Sequence, residues 1–193
     1  MTWHPVEAYG ELAADIREVL ISEDQIHARV LELGQAIAED YAGRNPLLVG
    51  VLKGVVPFMA DLLRAITIPV EVDFLAVSSY SSALRDQGVV RLEKDLEKPI
   101  AGRHVLFVED VIDTGLTLNY LLRTLRARGP ASLEVCVLFD KPGRRLVDPP
   151  LKYRGFDLPD SYVVGCGLDF RERYRHLPFV GLLKAEILRR TSG

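Results

Sequence analysis

Runs of largely apolar residues alternate along this chain with stretches whose apolar residues recur every three or four positions. Leu47–Leu52, Val105–Val108, Leu133–Phe139 and Tyr162–Gly165 are runs of the first kind. Near-continuous apolar runs suit strands buried on both faces, as in a parallel sheet. Ile26, Val30, Leu33, Ile37 and Tyr41 share one helical face. Ser22 followed three residues later by Gln25 predicts a capping box at that helix's start, and Gly43 with Asn45-Pro46 predicts its end. Pro57 opens a second helix through Phe58, Leu62 and Ile66, and a third runs from Thr117 through Leu118, Leu121, Leu122 and Leu125 towards Gly129-Pro130. Residues 69–78 alternate apolar and polar, which predicts one more strand.

Strand–helix–strand repetition of this kind predicts an α/β fold with a doubly wound sheet. Ile16, Val19, Leu20 and Ile21 suggest a short strand or extended segment, and Phe179 to Leu183 a short strand before a frayed end. The N-terminal helix and the C-terminal strands are expected to form a small hood. Two stretches break the pattern. Residues 142–159 are Pro-rich and basic, and read as loop. Residues 79–103 are polar and charged, with a short hairpin arm at Val89, Val90 and Leu92. A long polar insertion in a compact domain is most often a lid or binding loop.

Composition narrows the classes. The length of 193 residues suits one domain. A 48% hydrophobic and 26% charged balance is that of a soluble globular protein. The net charge of −3 and pI near 5.8 argue against gripping nucleic acid over a broad basic face. Cys136 and Cys166 sit in apolar runs and read as reduced core thiols. No signal-peptide pattern or membrane-length apolar run occurs, so the expected location is cytoplasmic. His4, His27, His104 and His176 show no metal-ligand spacing.

The densest chemistry lies at Val105–Thr117, an apolar strand followed by Glu109-Asp110 and then Asp113-Thr114-Gly115. Ligands of open α/β sheets bind beyond the carboxyl ends of the strands. Two acids there suit sugar hydroxyls or a hard cation such as magnesium. The turn leads into a helix N-terminus, whose free N–H groups attract phosphate. Alone, Asp113-Thr114-Gly115 reads better as a helix cap. The acids just upstream favour the phosphate reading. A Walker loop is excluded, because no Gly-Lys-Ser/Thr is present.

Val105–Thr117 resembles the phosphoribosyl pyrophosphate motif of type I phosphoribosyltransferases. Further segments resemble the hypoxanthine-guanine branch, in order from about residue 47 to residue 183. These are Leu52-Lys53-Gly54, where the branch can carry a cis peptide before the glycine, then Ser79-Tyr80, Lys141-Pro142, Tyr162-Val163-Val164-Gly165, Leu168-Asp169 and Arg175.

The resemblance implies a type I phosphoribosyltransferase fold, a mostly parallel twisted sheet flanked by helices. It implies one domain over 1–193, with a core at about 45–165, a hood from about 1–20 and 166–193, and a mobile lid at about 79–103. It implies a purine-salvage transferase joining hypoxanthine or guanine to phosphoribosyl pyrophosphate with Mg2+, giving IMP or GMP and pyrophosphate.

By position, Asp113 is implied as the catalytic base. Glu109 and Asp110 would face the ribose, and Asp113, Thr114, Gly115, Leu116 and Thr117 the 5′-phosphate. Lys53, Gly54, Ser79, Tyr80 and Arg175 would meet pyrophosphate. Lys141, Tyr162, Val163 and Asp169 would meet the purine, and Glu109, Asp110 and Asp169 the metal. A homodimer or homotetramer is implied, without nucleic acid or membrane partners. Leu116, Ser81 and Cys166 depart from residues common in the branch. Singly, Lys53, Lys141, Asp169 and Arg175 read as solvated charges and Tyr162 as a core aromatic. Arg144, Arg145 and Arg171-Glu172-Arg173 read as solvated or at a subunit contact. A xanthine-preferring enzyme and a nucleotide-sensing regulator are the competing readings.

Overall fold

The computed structural model describes residues 6–79 and 90–189. Its main sheet is built from β2 (Leu47–Leu52), β3 (Glu71–Ser79), β4 (Val90–Lys94), β5 (His104–Ile112), β6 (Ser132–Asp140) and β7 (Tyr153–Asp157). The order is β4-β3-β2-β5-β6-β7. β3, β2, β5, β6 and β7 pair in parallel, and β4 adds an antiparallel edge.

Alternate residues of each central strand serve opposite faces. Val105 and Phe107 of β5 join Leu47 and Val49 against α4 (Leu116–Arg126), which contributes Leu118, Leu121, Leu122 and Leu125. Leu106 and Val108 join Leu48, Cys136 and Leu138 against α2 (Glu23–Asp40) and α3 (Val56–Ala65). Full burial of each such side chain is worth about 1.5–3 kcal/mol. Burial on both faces therefore accounts for the unbroken apolar runs. The capping box at Ser22 and Gln25 forms as the sequence predicts. Both cysteines are buried and unpaired with each other.

A second, three-stranded sheet stands apart. Its order is β1 (Ile16–Ile21), β9 (Val180–Leu183) and β8 (Val163–Val164), all antiparallel. Ile16, Val164, Tyr174, Leu177, Phe179 and Leu183 form its separate core.

Four expectations need correction. Helix α2 packs on the main sheet rather than in the small one, because Ile26, Val30, Leu33 and Ile37 bury against Leu48 and Leu106. Residues 153–157, expected as loop, form the edge strand β7. Tyr153 is buried and donates its hydroxyl to Asp40 Oδ2 at 2.7 Å, and Phe156 stacks on Phe139. The frayed tail gives way to a short helix, α5 (Ala185–Arg189), which buries Ile187. Finally, residues 90–103 are held rather than free. Asp73 accepts from the Glu97 N–H at 2.7 Å and from Lys94 at 3.2 Å. Arg128 clamps both oxygens of Asp95, and Ile100 is 1% exposed. The rest of the expected lid, residues 80–89, lies outside the described residues.

Candidate active site

Because β2, β5 and β6 run parallel, their following residues leave the sheet along one edge. Lys53-Gly54 follows β2, Asp113 follows β5 and Lys141 follows β6. The peptide Leu52–Lys53 is cis, one bond earlier than the resemblance places it. β5 is also longer than its apolar run. Glu109 pairs with Val137 and Ile112 with Asp140, so both acids belong to the strand itself.

A pocket of about 340 Å³ opens on this edge. Asp110, Asp113, Lys141, Tyr162, Val163, Asp169 and Arg175 all line it. Glu109 lies off its wall. Thus residues from β5, the end of β6, β8 and the turns that follow converge on one cavity. A larger open cleft of about 1020 Å³ runs past Arg29, Asp140, Arg145 and Lys152, but no predicted site residue lines it.

The electrostatics of the acids are unusual. Burial, and then the adjacent Asp110 carboxylate, raise Glu109 well above the usual carboxylate range. Burial pushes Asp110 up to about 6, against the Val111 N–H and the Arg175 guanidinium, which pull it down. Among the described residues no hydrogen-bond partner reaches Glu109 Oε2, which is buried.

The turn Asp113–Gly115 is built by glycine and strapped from outside. Gly115 has φ of 81°, a left-handed geometry that favours glycine, and α4 starts at the next residue. A side-chain carbon there would overlap the Val147 carbonyl oxygen. Thr114 Oγ1 accepts from the Leu116 N–H at 3.4 Å, while Gly115 holds the N-cap position without a side-chain cap. The Thr114 carbonyl accepts from the Leu146 and Val147 N–H groups at 2.9 and 3.1 Å. Arg145 reaches the Asp113 carbonyl at 3.3 Å and pairs with buried Asp140. Thr117 and Leu116 lie in the first turn of α4, where N–H groups lack helical acceptors.

Lys141 donates to the Ser161 carbonyl at 2.9 Å. Burial lowers its pKa, so it is no freely solvated lysine. Tyr162 is 48% exposed, donates to the Asp169 carbonyl at 3.1 Å and meets Phe170 edge-on. Asp169 uses both oxygens. One pairs with Arg175 at 2.9 Å, and the other accepts from the Glu172 N–H at 2.9 Å. Arg175 also donates to the Gly167 carbonyl at 2.9 Å. Ser79 ends β3, though its side chain, like all of Tyr80, lies outside the described residues.

Three residues read as solvated or at a subunit contact reach residues of the site, two of them while still well exposed. Arg145 is nearly buried, with side-chain exposure of 11%. Arg144 Nε lies 3.1 Å from Asp113 Oδ1 as an ion pair without a hydrogen bond. Glu172 joins Lys53 to Arg175. The signal available for Arg145 was Asp140, an acid closing an apolar strand and therefore in need of a partner.

A family model described as phosphoribosyl transferase domain matches residues 22–171. The hypoxanthine-guanine phosphoribosyltransferase of Streptococcus agalactiae serotype V is 52% identical, over 91% of this chain and 98% of its own. The chain belongs to the hypoxanthine-guanine phosphoribosyltransferase family. The family's enzyme from Mycobacterium avium is 48% identical, over 95% of this chain and 92% of its own. A crystal structure of the Staphylococcus aureus hypoxanthine phosphoribosyltransferase superposes with a TM-score of 0.89 at 42% identity, covering 92% of this chain and 97% of that one. The expected type I phosphoribosyltransferase fold is therefore the fold of this chain. The matched family span contains β2 to β8, the acids, the phosphate turn and Lys141, while Arg175 and β9 follow it.

Proposed function

We propose that this chain is a purine-salvage enzyme. It transfers the 5-phosphoribosyl group of phosphoribosyl pyrophosphate to hypoxanthine or guanine, giving IMP or GMP and pyrophosphate. The observation that carries this reading is one pocket lined together by Asp110 at the acidic strand end, Asp113 of the turn that leads into α4, Lys141 and the aromatic Tyr162.

The 5′-phosphate rests on the turn Asp113–Thr117, where backbone N–H groups and the hydroxyls of Thr114 and Thr117 donate. Leu116 contributes its backbone alone. Asp110 and Glu109 face the ribose hydroxyls. Lys53, the Gly54 peptide, Arg175, Ser79 and Tyr80 bind the pyrophosphate. Tyr162 stacks on the base, whose edge meets the Val163 backbone and Asp169. A ring nitrogen of the purine bonds to the anomeric carbon as the carbon–oxygen bond to pyrophosphate breaks. The proton carried by the imidazole ring passes to Asp113, which lines the same pocket. Help of this kind is worth on the order of 10²–10⁴-fold.

Lys141 donates to the 6-oxo group. Adenine offers an amino donor at that position, leaving the lysine unpaired, which disfavours it strongly. Lys141 is already half-buried and aimed by the Ser161 carbonyl, which supports this role.

Magnesium fits the acids present. Glu109 Oε2 is a buried oxygen without a partner, and Asp110 is forced towards protonation by burial, so a hard cation would relieve both. Glu109 and Asp110 would hold one ion together with substrate oxygens, and Asp169 a second. Among the described residues no three acids, histidines or cysteines gather into a complete ligand set, so substrate oxygens and water would fill the remaining positions. When bound, magnesium neutralises and orients the leaving pyrophosphate.

No described helix is long and apolar enough to cross a membrane. A cytoplasmic homo-oligomer without nucleic-acid partners is the assembly proposed. The test is turnover of phosphoribosyl pyrophosphate with hypoxanthine, guanine, xanthine and adenine, with and without magnesium. Magnesium-dependent IMP and GMP formation with adenine inert is the expected outcome. Turnover with xanthine alone would make the enzyme xanthine-preferring. No turnover with any base would point instead to a nucleotide-sensing regulator.

A further inference from the structure

One carboxylate joins the two cations assigned to pyrophosphate. Glu172 Oε2 accepts from Lys53 Nζ at 2.8 Å, and Glu172 Oε1 accepts from Arg175 at 3.0 Å. The cations come from separate elements. Lys53 follows β2, and Arg175 lies in the segment between β8 and β9. Glu172 is therefore the only bridge between them that the described ion pairs contain.

The backbone fixes where this carboxylate stands. Arg171 and Glu172 have φ of 55° and 61°, the left-handed region that side chains seldom adopt. The Glu172 N–H is tied to Asp169 Oδ2 at 2.9 Å. The side chain itself is 63% exposed and its Lys53 partner 71% exposed. A pair this wet is weak and exchanges readily. Arg175 keeps its aim without Glu172, because Asp169 and the Gly167 carbonyl also hold it. The contact with Glu172 is thus not what orients the arginine.

We propose that Glu172 is a placeholder for pyrophosphate. Its carboxylate occupies Lys53 and Arg175 while the subsite is free of phosphates. The incoming pyrophosphate group displaces it, and it reclaims the cations as product leaves. The consequence is a set-point. Every binding event must first break two charge-assisted contacts, so Glu172 holds the affinity for phosphoribosyl pyrophosphate and for pyrophosphate below what the cations alone would give. This inference rests on the assignment of Lys53 and Arg175 to pyrophosphate made above.

The test is Glu172→Gln, which keeps size and hydrogen bonding but removes the charge. Expected are falls of about two- to fivefold in KM for phosphoribosyl pyrophosphate and in the inhibition constant of magnesium pyrophosphate, the range an exposed pair supports. The KM for hypoxanthine should stay unchanged. A rise in either constant would mean that Glu172 aims the cations productively, and no change would mean that it is a bystander. Both results overturn the proposal.

Simple charge repulsion is separated by repeating Glu172→Gln in a Lys53→Met background. A placeholder keeps only the part of its effect exerted on Arg175 there, whereas an undiminished effect overturns the proposal. Calorimetric binding of magnesium pyrophosphate to wild type and Glu172→Gln gives the same comparison without turnover. An inactive wild type would therefore sink the proposed reaction while this measurement still decided the role of Glu172. Thermal unfolding of each variant confirms that it is folded.

Discussion

Gly54 lies flat against Asp110. A side-chain carbon on Gly54 would overlap Asp110 Oδ2 and stand 2.8 Å from its carboxyl carbon. On the other side, a side-chain carbon on Gly167 would overlap the Gly54 carbonyl oxygen. The turn after β2, the acidic end of β5 and the turn after β8 thus meet at one peptide. Only glycines let them close.

Gly54→Ala should therefore act on the site rather than on the core. The added methyl must push Asp110 out of the pocket or swing the Lys53-Gly54 turn away from it. Overpacking of this sort costs about 1–3 kcal/mol. The expected outcome is a fall of roughly tenfold or more in kcat/KM for phosphoribosyl pyrophosphate, since 1.4 kcal/mol of lost transition-state binding is a factor of ten. The KM for the purine should move less. Saturation curves in each substrate check this, and equal losses for both would mean general unfolding.

Asp113 offers a sharper test of mechanism. It lines the pocket with Lys141 and Tyr162, and Arg144 is its nearest charged neighbour. Asp113→Asn preserves shape and removes the proton acceptor. We expect kcat to drop by about 10²–10⁴-fold with little change in either KM. Steady-state kinetics with hypoxanthine decide it. A variant with wild-type kcat would remove Asp113 from proton transfer.

The acidic strand end and its turn were legible because their chemistry is local in sequence, whereas Lys141, Tyr162, Asp169 and Arg175, which line the same pocket, were reached only through the family resemblance. Val105–Thr117 carries strand, acids, turn and helix start in one stretch, and the fold merely presents it. The doubly wound sheet was legible for a similar reason, since burial on both faces leaves unbroken apolar runs. What escaped depends on partners distant along the chain. Glu172 meets Lys53 from 119 residues away. Tyr153 finds Asp40 from 113 residues away, which seats β7 where composition alone suggested loop. Ile100 and Asp73 hold residues that look like a free lid. Arg145 looks like its neighbour Arg144 in sequence, and only the burial of Asp140 separates them.

The buried acids predict a conflict between function and stability. Burial raises both Glu109 and Asp110 above their ordinary values, Asp110 to about 6. A carboxyl whose pKa is higher in the folded state than in the unfolded chain binds more protons when folded. Its favourable contribution is complete below the unfolded value near 4, and is lost as pH rises through 6 and beyond. In chelator, Glu109→Gln should consequently raise Tm at pH 8 and barely change it at pH 5. The rise should be about 2–4 °C for each kcal/mol relieved. Added magnesium should stabilise wild type more than the variant, because ligand binding to the folded state adds stability. Thermal melts at both pH values check the sign. A larger gain at pH 5 than at pH 8 would contradict the assignment.

The strap over the phosphate turn depends on one nearly buried ion pair. Asp140 is 2% exposed and is held by Arg145, with Arg154 further off at 3.4 Å. Arg145 in turn reaches the Asp113 carbonyl, and the next two residues bind the Thr114 carbonyl. Arg145→Met strands a buried carboxylate and releases the turn together. Breaking such a pair from one side costs about 3–5 kcal/mol, less whatever Arg154 recovers. Asp140→Asn in the same background should restore much of the stability, because it removes the orphaned charge. It should not restore the KM for phosphoribosyl pyrophosphate, since the guanidinium contact to the turn is still missing. Denaturant unfolding and substrate kinetics on both single variants and the double variant separate the two roles. Recovery of KM along with stability would mean that Arg145 matters only as a counter-ion to Asp140.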